Sequence, residues 1–233
     1  MESGYRVVNV LPPEYSPDYV SFLFHHPDHL KLQADEWLSF YLLRKVNQKV
    51  MAQVSFCLQN NKALSPVKAP FGSFLFSEHL SPLGLYQFVQ HCEEELQKRD
   101  VKSVQIIEPP LFYRKTGELL HTILFNLNYT VRQAELSSGI RIDHINFEEK
   151  IEVWERRKLK QSKEKGLQYK LLPLSELENV YGLILKCRKQ KGHTLSMTLE
   201  ELKRTVDVFK ENFFSKRIGR CRYHHLYPSR HTL

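Results

Sequence analysis

No stretch of this chain approaches the roughly 20 consecutive apolar residues that a membrane-spanning helix requires, so none is expected. The first residues carry Pro12, Glu14 and Asp18, with no basic start followed by an apolar run, so a secretory leader is not expected either. Cysteine is sparse. Cys57, Cys92, Cys187 and Cys221 are scattered and form no C-x-x-C pair, which points to reduced thiols and a cytoplasmic setting. No G-x-S-x-G elbow is present, no Gly-Lys is followed by Ser or Thr in a phosphate loop, and no cysteine has a histidine at a recognised spacing. Nucleophilic hydrolysis and P-loop nucleotide chemistry therefore lack support.

What is present allows a packed core. The chain has 233 residues, 42% apolar and 26% charged, enough for one large domain or two small ones. Its net charge of +8 is unevenly placed. Residues 1–149 hold 14 Lys and Arg against 17 Asp and Glu, a balance of −3; residues 150–233 hold 20 against 9, a balance of +11. A basic half suits an anionic partner such as a nucleotide, a coenzyme phosphate or RNA, or else is a solvated helix surface.

Hydropathy patterns predict the elements. WLSFYLLRKV (37–46) and KVMAQVSFCLQ (49–59) read as a hairpin, the second strand alternating with Val50, Ala52, Val54, Phe56 and Leu58 on one face. A polar loop through Pro66 and Pro70 precedes a short aromatic strand over 72–77. Ser81 caps a helix whose first position suits Pro82, with Leu85, Val89, Cys92 and Leu96 at helical spacing. VKSVQII (101–107) is a strand ended by Pro109-Pro110, 117–127 is a second helix, and 129–143 a final long strand. Three strands feeding a helix, a strand, a helix and a strand predict an α/β fold, a mixed sheet with helices on its faces.

From Phe147 the character changes. Residues 147–166 predict a charged helix, acidic early and basic late, stopped by Gly166. LQYKLLPL (167–174) reads as a strand, Ser175 caps a helix reaching Gly192, and Thr198 with Glu201 fits a capping box for a helix over 198–214. Residues 215–233 have no clear period. They are either a disordered tail or the place where the chain leaves its parent fold, and the second is expected because the preceding helices need a sheet to pack on. The expected units are thus 1–146, 147–214 and an irregular tail, 215–233.

Residues 37–143 resemble the core of the acyl-CoA N-acyltransferase (GNAT-like) fold in element order, and GELLHTILFNLNYTV (117–131), with Leu127-Asn128-Tyr129, resembles its helix-to-strand segment. Residues 150–214 resemble the start of a second copy, mainly helical and incomplete, as in tandem or Fem-like bacterial proteins; RKQKG (188–192) followed by LSMT (195–198) carries that likeness. The resemblance implies an N-acetyltransferase-like activity on a small amine or peptidoglycan precursor, with acetyl-CoA or another acyl-CoA as co-substrate and no metal. The first copy would then be a structural partner completing the second copy's cleft. It also implies two alternatives: a Fem-like aminoacyl transferase using aminoacyl-tRNA, and a non-catalytic remnant or interaction module. Uncovered helices over 175–214 would favour self-association.

The resemblance assigns roles to particular residues. The family's pyrophosphate loop maps to SEHLSPLGLY (77–86), where Gly84 is the cofactor-binding candidate. The spaced glycines and basic first residue are missing and Pro82 removes an amide, so coenzyme A is not expected to bind there in the usual way. Glu108, at the end of a strand, and Tyr113 just after it are the catalytic candidates, as proton acceptor and proton donor. Arg156, Arg157 and Lys160 are candidates for nucleic-acid contact, against a solvated helix face. HHPDH (25–29), and Cys221 with His224, His225 and His231, match no metal pattern, so no metal is expected.

Overall fold

A computed structural model describes residues 4–113, 116–139, 142–167, 169–218 and 224–228, with side chains for all of these except 169–170, 212–218 and 224–228. The chain is α/β and divides into two compact units, Met1–Gly139 and Ile140–Leu233.

Among the described residues of the first unit, seven strands form one mixed sheet. Its main path runs β1 (Tyr5–Val8), β3 (Leu38–Arg44), β4 (Lys49–Gln59), β5 (Lys62–Ser65) and β7 (Ser103–Ile106); the two-residue strands β2 (Ser16–Pro17) and β6 (Leu75–Phe76) pair with β4 off that path. Neighbours along the path are antiparallel except β5 and β7, which run parallel with Lys62 opposite Ser103 and Ser65 opposite Ile106. Helix α1 (Pro27–Gln33) precedes β3, and α2 (Pro82–Gln97) and α3 (Gly117–Asn126) flank β7 in sequence. The parallel pair needs a long crossover, which the loop and α2 supply.

The hairpin expected over 37–59 forms, but not with one continuous face. Leu42 lies opposite Ala52 and Leu43 opposite Val50, so Met51 is an extra residue in β4. This bulge shifts the alternation. Ala52, Val54 and Phe56 join the main core, whereas Val50 turns to the other side with Tyr41 and Leu43, under Leu11, Tyr15 and Tyr19. Leu58 lies beyond the buried stretch and is exposed. β5 falls where a polar loop was expected. Asn60 (φ 51°) and Asn61 (φ 59°) are both left-handed, the conformation of a two-residue hairpin turn, and they return the chain along β4.

The main core lies between the sheet and α2 with α3. Leu85, Phe88, Val89, Cys92 and Leu96 line one stripe of α2, and Leu120, Ile123 and Leu124 line α3. Phe40, Phe56, Phe74 and Phe88 stack edge to face in succession, with centroids 6.0–6.4 Å apart. Each fully buried ring contributes on the order of 2–3 kcal/mol.

Several expectations for the rest of the chain change. Residues 129–139 form no strand: Val131 and Leu136 are exposed, and alternation without a neighbouring strand buries nothing. The charged helix is two helices, α4 (Phe147–Lys150) and α5 (Val153–Glu164), and no residue of either is buried. The last helix, α7 (Leu199–Val208), is shorter than expected, because the chain turns into β9 (Phe213–Ile218). With β8 (Tyr169–Leu172) and β10 (His224–Pro228), β9 makes an antiparallel sheet in the order β10-β9-β8, so part of the stretch expected to be irregular is strand. Helix α6 (Leu177–Gln190) starts after a 3-10 turn containing Ser175, so that serine is not its cap. Thr198 and Glu201 do form the capping box of α7.

Candidate functional site

β5 and β7 run parallel, so their carboxyl ends lie together, and chemistry in open α/β sheets gathers at such ends. Beyond Ser65 the chain leaves β5 at Pro66, loops outward and returns at Gly72. Two backbone bonds close the base of this loop: the Ile107 amide donates to the Ser65 carbonyl, and the Gly72 amide to the Ile107 carbonyl, both at 2.9 Å. Gln33 on α1 clamps the loop by accepting from the amides of Val67 (3.3 Å) and Lys68 (3.1 Å). Only glycine fits at position 72, since an added Cβ would lie 2.6 Å from Ser65 Oγ and 2.7 Å from Pro66 N.

This closure brings Ser73 to Glu108. Ser73 is fully buried and its hydroxyl donates to Glu108 Oε1 at 2.8 Å. The other carboxylate oxygen faces His121 Nε2 of α3 at 3.4 Å. The Glu108 side chain is 22% exposed and that of His121 47%, so the pair opens to solvent on the histidine side. A carboxylate fixed by a serine and facing an imidazole can accept a proton from an incoming nucleophile.

Tyr113, the second catalytic candidate, ends a 3-10 turn (Leu111–Tyr113) begun by Pro110. Its ring packs 5.8 Å from both Phe22 and Phe71 and 4.9 Å from Phe112. Gly84 is buried within α2; its amide donates to Ser81 Oγ at 2.9 Å, and a Cβ there would lie 2.9 Å from Leu80 Cδ1. Its smallness therefore serves packing under Leu80.

The loop entering α2 holds an internal anion. Ser77 Oγ donates to Asp18 Oδ2 at 2.6 Å and accepts from the His79 amide at 3.0 Å. Ser81 occupies the Gly84 amide, and Pro82 has none to offer. The residues present do not fit a coenzyme pyrophosphate: a carboxylate and a cap take the groups that would cradle it.

The histidines of 25–29 have separate structural roles. His25 Nε2 donates to the Gly72 carbonyl at 3.1 Å, His26 Nδ1 caps α1 by accepting from the Asp28 amide, and His29 Nδ1 accepts from Gln33 Nε2 at 3.1 Å. Burial pushes the His29 pKa down. Among the described residues no group of three or more His, Cys, Asp or Glu could hold a metal ion. Cys221, His231 and the side chains of His224 and His225 lie outside the described residues.

Arg156, Arg157 and Lys160 belong to the second unit, all exposed on α5, with Arg156 Nε donating to the Ile151 carbonyl at 3.1 Å and Lys158 lying 3.6 Å over the Trp154 ring. An open groove between α6 and α7 is lined by Tyr181, Lys189 and Glu201, but Glu201 is engaged in the Thr198 cap.

Of the residues grouped here, Glu108 was singled out from its place after a strand; Tyr113 is placed among Phe22, Phe71 and Phe112 instead. Ser73 and His121 were not singled out, because no local spacing links residues 35 and 13 positions from Glu108. The one signal was Gly72 beside Ser73 just before an aromatic strand.

Comparison with protein-family models, curated proteins and solved structures finds no match to this chain.

Proposed function

We propose that the first unit is an acyltransferase-like domain that directs an amine toward an activated acyl group, with Glu108 as the proton acceptor. The observation that carries the reading is the placement of Glu108: at the carboxyl end of the parallel pair, fixed by Ser73 and facing His121. The path β1-β3-β4-β5-β7, antiparallel until its last pair, with α2 joining β5 to β7 and α3 after it, supports the reading in part; the strand expected over 129–143 is missing from it, and β5 stands where a loop was expected. The second unit repeats the opening of the first. β8, a helical excursion, β9 and β10 form an antiparallel run of neighbours, as β1, α1, β3 and β4 do, and this supports a tandem design.

In the transfer, the neutral amine nitrogen forms a bond to the acyl carbon, the bond from that carbon to its leaving group breaks with its electron pair staying on the departing anion, and the nitrogen gives up one proton. Glu108 takes this proton, and the Ser73 bond holds the carboxylate oriented for it. Because the α2 entrance is filled from within, donor recognition does not run through a pyrophosphate at that entrance.

The test is acyl transfer to an amine panel from two donors, acetyl-CoA and a truncated acetyl thioester without phosphates. Comparable kcat/KM for the two is expected, together with a loss of about 100-fold or more in kcat for Glu108→Gln, the scale of general-base catalysis. Turnover unchanged in Glu108→Gln would overturn the assignment of the base. No transfer to any amine would leave a non-catalytic module. The filled entrance also favours a second reading, an aminoacyl ester carried on RNA as donor, with α5 as the basic contact. Binding of aminoacyl-tRNA that is lost on charge reversal of Arg156 and Arg157 would support it.

A further inference from the structure

β7 is the last strand of the sheet path, and among the described residues its outer edge has no strand beside it. The Ile107 amide donates to the Ser65 carbonyl of β5. Backbone groups along a strand alternate between its two neighbours, so the amides and carbonyls of Val104 and Ile106 point to the open edge. The side chains of the same two residues pack against the main core. An added strand therefore meets two residues to pair with and an apolar face to continue.

The same chain carries a segment that fits. Residues 130–138 alternate as a strand does, yet all are exposed, Val131 by 85% and Leu136 by 99%. Among the described residues none of their backbone groups is hydrogen-bonded. Alternation puts Arg132, Ala134 and Leu136 on one face. Seated antiparallel, with Leu136 opposite Val104 and Ala134 opposite Ile106, this face extends the core and carries Arg132 to the Glu108 end, where the signs are opposite. The segment's own path runs the other way along β7. It starts at Tyr129, whose hydroxyl donates to Glu93 on α2 ahead of the strand. It reaches Gly139 beyond the strand, where an added Cβ would lie 3.6 Å from the Phe112 ring. A parallel approach that seats both Ala134 and Leu136 on Val104 and Ile106 sets Arg132 opposite Lys102, two like charges.

We propose that residues 130–138 of a second copy of this chain add antiparallel to the open edge of β7. The exchange is reciprocal: one two-fold rotation carries each segment to the other copy's edge, so both edges close together. Main-chain hydrogen bonds hold the pair, and the burial of Leu136 beside Val104 sets its register. Little opposes the move, because the segment gives up no backbone hydrogen bond of its own.

The test is sedimentation of the full chain over about a hundredfold range of concentration, with monomer expected at the dilute end and dimer at the concentrated end. Ala134→Pro removes an amide that faces Ile106 across the new ladder and alters an exposed position of the single chain. It should raise the dimer dissociation constant at least about tenfold. Glu135→Pro, whose missing amide would point away from β7, should raise it less. Ser103→Cys combined with Ser137→Cys places two thiols opposite each other on the outer face, and oxidation should join them between chains as a covalent dimer that neither single variant gives. A disulfide within one chain would show that the segment closes its own edge, and would overturn the exchange. So would a chain that stays monomeric throughout, which is read on the unaltered protein, or a dimer indifferent to Ala134→Pro. Equal losses in the two proline variants would overturn the register.

Discussion

Gly72 has no room for a side chain, and Ser73 beside it sits at φ 80°, a left-handed conformation that favours glycine. Gly72→Ala should therefore destabilise the first unit by about 1–3 kcal/mol in urea unfolding, the usual cost of overpacking. Ser73 holds its strained backbone for its hydroxyl. Ser73→Ala loses the bond to Glu108 and keeps the strain, whereas Ser73→Gly loses the bond and relieves it. The glycine variant should be more stable than the alanine variant by about 1 kcal/mol, and both should lose acyl transfer if Glu108 needs orienting. Equal stability of the two would mean that the backbone at 73 is unstrained. From sequence, Glu108 could be placed at a strand end because prolines follow it. The approach of Ser73 and His121 to it depends on where a loop and a later helix return, and no periodicity encodes that.

At the scale of elements, α1 matters more than its seven residues suggest. Gln33 accepts from two loop amides while its own amide donates to His29 Nδ1, so the loop over the parallel strand ends is tied to one imidazole. A proton on that nitrogen would turn an acceptor into a donor facing a donor. Burial lowers the folded-state pKa of His29 below the ordinary value of 6.5. The unfolded chain therefore binds the proton more readily, so this contribution is present above about pH 6.5 and is lost as pH falls through the interval beneath it. The thermal midpoint of the first unit should fall between pH 7.5 and 5.5, and His29→Gln should flatten that slope; an unaltered slope would detach His29 from the effect. In the second unit, Thr198→Ala removes the capping box and should cost about 1 kcal/mol, visible as a lower midpoint for that unit. This cap was legible from spacing alone, because an N-cap and its partner three residues on are a local geometry. The strand expected at 129–143 was legible only as a pattern, and a pattern of alternation makes a strand only where a neighbour accepts its hydrogen bonds.

At the scale of the molecule, the chain divides at Gly139 and Ile140, close to the change from an acidic to a basic balance. Between α3 and α5 the described residues are mostly exposed, and α5 buries none of its own. Limited trypsin digestion should cut first within 129–165, at Arg132 or the basic positions of α5, and leave a resistant fragment that starts near the N-terminus and ends after α3. Uniform resistance along the chain would contradict the division into two units.

The sequence by itself determined the α/β class, the β3–β4 hairpin, helices α2 and α3 and their apolar stripes, the caps at Ser81 and Thr198, and the contrast in charge between the halves. These follow from propensity, period and capping, which act over a few residues. Only the tertiary structure decided that Met51 bulges and turns Val50 to the other face, that β5 runs parallel to β7, and that Asp18 fills the loop before α2. It alone brought Ser73, Glu108 and His121 together. Such pairings depend on the path by which distant segments return to one another, and that path is set by the packing of the whole unit.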